Sequence, residues 1–245
     1  MKLKLSLSAL ALLAAQPALA GEAPKKVWKG EAELGALVTT GNSQSTNVKA
    51  RLHVTQNLEQ WRNNYTVESL YTKSDQQTTA ERYSGSAQGD YKLNKKEFWF
   101  VRGSYNHDRF SGYNYQASVS TGYGNRFWEK EDGSFFDASA GLGYRYNRLD
   151  VADVDGNISE NSAIARLAAK FEYKVSANAL FRQELNTEIG LSQHNTISES
   201  VTSLQANVMD NLAMKVSYRI KYTSDAPADA AKTDTETSLT LLYSF

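Results

Sequence analysis

The three histidines, His53, His107 and His194, are the first candidates for acid–base chemistry. His53 stands two residues before Thr55, so on a strand both side chains share a face, as a base and its nucleophile must. Threonine, however, is a rare nucleophile away from an N-terminus. His107 and His194 have no hydroxyl at a diagnostic spacing. The segment DVADVDGNISEN gathers Asp150, Asp153, Asp155, Asn157 and Glu160, but Gly156 misses the sixth position that a calcium loop requires. It reads as a solvated acidic loop, with divalent bridging to lipopolysaccharide as a separate hypothesis. There is no cysteine, no glycine-rich phosphate loop and no Cys/His cluster, so no catalytic, cofactor-binding or metal-binding residue is assigned.

Charge in alternation is the stronger signal. Arg51, Arg102, Arg166 and Arg219 each fall near the middle of a segment in which every second residue is apolar. Lys49, Arg82, Arg145, Lys170, Arg182, Lys215 and Lys221 share their face, as do Glu31, Glu33, Glu68, Asp90, Asp137, Glu172, Glu184, Glu188 and Glu236. Such charges can pair across strands and brace a wall. Alternatively, a ring of Arg and Lys around a pore favours anions, and the four mid-strand arginines are then the candidate constriction.

The elements that place these charges are strands. Trp28, Ala32, Leu34, Ala36 and Val38 alternate with Lys29, Glu31 and Glu33, and Val48, Ala50, Leu52 and Val54 with Lys49, Arg51 and His53. Successive side chains of a strand point to opposite faces, so each segment has an apolar and a charged face. The pattern recurs through twelve segments, with Phe98 and Phe100 breaking it; the tenth, Ser200–Met209, is the weakest. Every connection is consistent with a hairpin, and no helical pattern competes.

The first 20 residues carry Lys2 and Lys4, an apolar core from Leu5 to Ala15 and the small-residue site Ala18-Leu19-Ala20. That is a secretory signal peptide, too short in its core for a spanning helix. Residues 21–27 form a short periplasmic segment and 28–245 the barrel. Without Lys2 and Lys4 the formal net charge moves from 0 to −2, and nothing basic invites nucleic acid. No later apolar run approaches helical spanning length, and mean hydropathy is −0.53.

Alternation alone fits either a soluble sandwich with the apolar face inward or a membrane barrel with it outward. Connections near Glu59–Asn63, Asn94–Lys96, Val175–Asn178 and Asp210–Asn211 are short. Those near Ser74–Glu81, Leu149–Asn161 and Thr223–Lys232 are longer and polar. All four tryptophans lie toward the short-turn ends, and a second aromatic set, including Tyr71, Tyr83, Tyr105 and Tyr144, toward the long-loop ends. Two aromatic belts around an aliphatic band match the two interfaces of a bilayer. The expected fold is all-β: an antiparallel, twelve-stranded, up-and-down transmembrane β-barrel. Its closing strand ends on Phe245, facing lipid.

The terminal aromatic strand resembles those of outer-membrane β-barrels generally, which implies recognition by the barrel-assembly machinery through the strand ending at Phe245. More narrowly, WKGEAELGALVTTGNSQSTNVKARL together with the terminal LLYSF resembles the YdiY-like salt-induced outer-membrane protein family. The matching elements are Trp28-x-Gly30, Glu33-Leu34-Gly35 and the Thr40-Gly41-Asn42-Ser43 loop. The resemblance implies the bacterial outer membrane, with its lipid and lipopolysaccharide, as the setting, and a tie to salt or osmotic stress. That family has no known activity, so no functional residue carries over. The expected function is passive permeation of small polar or anionic solutes; a lipid-modifying enzyme and a closed structural barrel are the alternatives.

Overall fold

Twelve antiparallel strands follow the alternating segments. In the computed structural model they are β1 (Trp28–Thr39), β2 (Ser45–Asn57), β3 (Trp61–Ser74), β4 (Gln77–Lys92), β5 (Glu97–Asp108) and β6 (Tyr113–Glu129). The remainder are β7 (Phe135–Leu149), β8 (Ser159–Ser176), β9 (Ala179–Gly190), β10 (Thr196–Met209), β11 (Leu212–Thr223) and β12 (Thr233–Ser244). Each strand bonds to its sequence neighbours and β1 bonds to β12, closing a barrel. The structure describes residues 27–39, 45–74, 77–152, 156–192, 195–227 and 230–245. The signal segment, the 40–43 loop motif, Asp153, Asp155 and His194 lie outside the described residues.

One expected loop is corrected. The long connection near Ser74–Glu81 is instead strand, because β4 begins at Gln77 and pairs Ser74 with Gln77, Lys73 with Thr78 and Thr72 with Ala80. The β-branched Thr78 and Thr79 suit extended backbone. A register shift between Thr72 and Lys73 absorbs the extra residue.

The outer surface is the apolar face of every strand. Leu34, Val67, Val119 and Leu142 are all more than half exposed, which a water-soluble fold would not tolerate in such numbers. At the short-turn rim Trp28, Trp61 and Trp99 are exposed, and Tyr243 stacks on Phe245 with centroids 6.4 Å apart. A register shift between Arg126 and Trp128 leaves Phe127 unpaired. That bulge turns both Phe127 and Trp128 to the lipid side, where Trp128 stacks on Phe171 at 5.9 Å. Toward the other rim Tyr105, Tyr115 and Tyr146 stack in a row at 5.7 and 5.8 Å. These are the two belts, and the fold is a transmembrane β-barrel.

Closure rests on a short seam. The β1–β12 register comprises Glu31–Ser244, Ala32–Tyr243, Glu33–Leu242 and Leu34–Leu241, far fewer pairs than any other strand pair makes. Below it, Gly30 N–H donates to the Phe245 carbonyl at 3.0 Å and Phe245 N–H donates to the Gly30 carbonyl at 2.9 Å. The Phe245 ring occupies the space a side chain on Gly30 would need, its Cζ 2.1 Å from where a Cβ would sit. Gly30 therefore makes the seat for the terminal aromatic. Replacing it by Val is expected to unseat the ring and cost about 1–3 kcal/mol, as overpacking does. Urea unfolding of the micelle-bound barrel checks this, and an unchanged midpoint contradicts the seat.

Candidate functional site

The polar faces of the strands enclose a cavity of about 1250 Å³. It runs from Lys29, Arg62 and Asp210 near the short-turn rim to Gln116, Arg145 and Lys221 near the other. Arg51, Arg102, Arg166 and Arg219 all line it, as alternation requires.

Most of its charges are paired, and the pairs bridge strands. Glu33, buried on β1, accepts hydrogen bonds from Arg51 of β2 at 2.7 Å and from Lys215 of β11 at 2.9 Å. The Thr240 hydroxyl of β12 donates to the same carboxylate at 3.3 Å. Glu236 of β12 receives Lys49 of β2 at 2.7 Å and Arg82 of β4 at 2.6 Å. Arg182 of β9 reaches Glu31 of β1 at 3.3 Å and Glu172 of β8 at 2.9 Å. Lys215 thus spans β12, and Lys49 spans β1, so the short seam is stapled from inside.

The four candidate arginines divide into two kinds. Arg51 is held by Glu33, and Arg219 by Glu199 at 2.5 Å. Arg102 makes no ion pair or hydrogen bond among the described residues. Arg166 is 5% exposed, and its Nε and Nη1 have no hydrogen-bond partner among the described residues. Its guanidinium instead lies over the Phe100 ring, 5.2 Å from the centroid.

Phe98 and Phe100, which break the sequence pattern, face inward and are buried. They are accommodated because Gly122 and Gly124 on β6 and Gly141 and Gly143 on β7 present no side chain to the lumen. The Phe98 ring fills the position of a Cβ on Gly124, and Phe100 Cζ lies 2.8 Å from that of Gly141. Strands β6 and β7 also approach so closely that a Cβ on Gly141 would meet the Thr121 carbonyl oxygen at 2.3 Å. Each inward ring carries a cation: Arg62 lies over Phe98 at 5.1 Å and Arg126 over Phe135 at 4.2 Å. These rings, Arg62 and Glu199 were not identified from the sequence. Glycines repeating on the lumen positions of two successive segments are the signal that could have located the rings.

At the long-loop rim Tyr113 is 2% exposed. Its hydroxyl accepts from Asn195 Nδ2 at 3.1 Å and lies 3.4 Å from both Glu160 Oε2 and the Asp225 carbonyl. Arg145 donates to the Asn195 carbonyl at 2.6 Å. Three connections therefore converge over this end of the lumen.

His53 lies between two threonines, with Nδ1 2.8 Å from Thr66 Oγ1 and Nε2 3.3 Å from Thr55 Oγ1. No carboxylate is bonded to the ring among the described residues, and the group faces the lumen rather than acyl chains. The acidic loop forms no metal-binding group among the described residues.

A family model described as "Protein of unknown function, DUF481" matches residues 32–245. The chain is 26% identical over 226 residues to the uncharacterised protein YdiY of Escherichia coli K12, covering 90% of this chain and 84% of that one. Among solved structures it is similar to the translocator domain of the autotransporter NalP from Neisseria meningitidis. That match has a TM-score of 0.52 and 10% identity, over 89% of this chain and 87% of the other. The NanC porin matches at a TM-score of 0.49 and 13% identity, over 88% and 98%. At such identities only the barrel fold is shared.

Two stability outcomes follow from the lumen. Gly141→Val drives a side chain into backbone and is expected to abolish refolding into the barrel, whereas Gly103→Val, whose Cβ meets nothing within 4 Å, refolds normally. Comparable refolding yields for the two would contradict the close approach of β6 and β7. Glu33→Ala strands Arg51 and Lys215 without their shared counter-charge and is expected to cost about 3–5 kcal/mol in urea unfolding.

Proposed function

We propose, for a chain that belongs to the DUF481 family, that the barrel sits in the bacterial outer membrane as a narrow passive channel for small polar solutes, with a preference for anions. The observation that carries this reading is the charge-lined cavity, in which Arg102 and Arg166 form no ion pair with any carboxylate among the described residues. A purely structural lumen would gain nothing from two cations left without partners, since unpaired buried charge is costly. Fixed cations in a narrow passage raise the local concentration of anions and repel other cations.

Export by the leader at residues 1–20, and insertion by the assembly machinery reading the strand that ends at Phe245, belong to the same reading. So do contact with lipopolysaccharide at the long-loop rim and a setting in salt or osmotic stress, the last resting on the family resemblance alone. The lipid-modifying alternative has less support. The His53–Thr55 and His53–Thr66 contacts lie on the lumen side and lack a third group to orient the ring.

Purified protein in a planar bilayer under a potassium chloride gradient is expected to carry current with a reversal potential of the anion-selective sign. Absence of current from correctly folded protein would end the channel reading. Tyr113→Ala, which empties the packed centre of the long-loop rim, is expected to raise the conductance.

A further inference from the structure

We propose that Arg102 and Arg166, which both line the cavity, form one binding subsite for a small oxyanion, a phosphate or a carboxylate, beside the Phe100 ring that covers the glycine floor of β6 and β7. Cross-strand register places Phe100, Gly122, Gly141 and Arg166 in one row over four adjacent strands. Arg102, Ser120 and Gly143 form the neighbouring row. On β6 and β7 between the two arginines, therefore, no side chain larger than a serine stands, and the buried Phe100 ring lies over the glycines toward Arg166. The floor is also unable to take one, because a Cβ on Gly122 or Gly143 would meet backbone carbonyl oxygens at 2.2 Å.

Phe100 is the same-face neighbour of Arg102 on β5 and lies under the Arg166 guanidinium, which brings the two like charges within electrostatic range. Carboxylates in electrostatic range are held elsewhere. Asp90 is bonded to Arg62 and Gln88, both at 2.8 Å. Glu188 accepts from Ser118 at 2.8 Å and lies 3.6 Å from Arg145. Glu188 is even the register partner of Arg166 on β9, yet the two form no ion pair. The Arg166 guanidinium, planar by delocalisation, is positioned over the Phe100 ring at 5.2 Å from its centroid. A planar fork of N–H donors matches the two-oxygen edge of a carboxylate or phosphate better than it matches a spherical halide. An oxyanion between the two would relieve their repulsion and satisfy donors that protein leaves unbonded.

The assignment rests on the permeable-lumen reading for access of the anion, but its test does not use current. The detergent-solubilised full chain is titrated calorimetrically with inorganic phosphate and, separately, with acetate. Saturable binding of at least one is expected, weakened about tenfold or more by Arg102→Gln and by Arg166→Gln, since each removes one charge-assisted donor set. Arg109→Gln, in an exposed rim residue, should bind as the parent does. Arg102 makes no hydrogen bond or ion pair among the described residues, so its substitution tests the site even if Arg166→Gln impairs folding. The phosphate and acetate arms decide which oxyanion is preferred. No saturable binding of either, or undiminished binding in Arg102→Gln, would overturn the subsite. Binding without bilayer current would keep the subsite and remove the channel; current without binding would do the reverse.

Discussion

Hydrocarbon offers a polypeptide backbone no hydrogen-bonding partner, so a sheet that crosses it must close on itself. That requirement falls here on the meeting of β1 and β12, which share only four register pairs. The remaining hold comes from above and below that stretch and from the inside. Phe245 seats on Gly30, and lumen charges reach across the seam: Lys215 to Glu33 over β12, and Lys49 to Glu236 over β1. Surface ion pairs contribute little to stability, but these are screened from bulk water by the wall they brace.

The same network accounts for what the lumen can do. A barrel of this size lies between those filled by side chains and those that hold an open aqueous channel. Paired Glu, Arg and Lys take up much of the interior, and inward phenylalanines take up more. What pairing leaves over includes Arg102 and Arg166, which flank the Phe100 ring seated on the glycines of β6 and β7. Function in this reading resides in those two arginines, which the ion-pair network leaves without a carboxylate among the described residues.

Strand number, face assignment and both aromatic belts were legible in the sequence, because alternation with period two maps directly onto the two sides of a strand. So was the lumen position of Arg51, Arg102, Arg166 and Arg219. Their division into paired and unpaired was not. Arg219 is satisfied by Glu199, which lies just before the weakest of the alternating segments and joins β10 only in the folded barrel, and Arg51 by Glu33, a carboxylate shared with Lys215 from a strand 182 residues away. Such partnerships exist only once the barrel has closed. Phe98 and Phe100 looked like errors in the alternation because their explanation lies in glycines on the next two strands. The β3–β4 connection is shorter than the polar stretch Gln77–Ala80 suggests, because that stretch pairs with β3 as strand.

The central claim, apolar side chains outward and ionic ones inward, is tested most directly on neighbouring residues of one strand. The chain has no cysteine, so Ser118→Cys and Val119→Cys can each be labelled alone in lipid vesicles with a small charged thiol reagent. Ser118 lines the cavity and Val119 is on the outer surface. Modification of Ser118→Cys with protection of Val119→Cys is the result this arrangement requires; the opposite pattern would put the apolar face inward and contradict it.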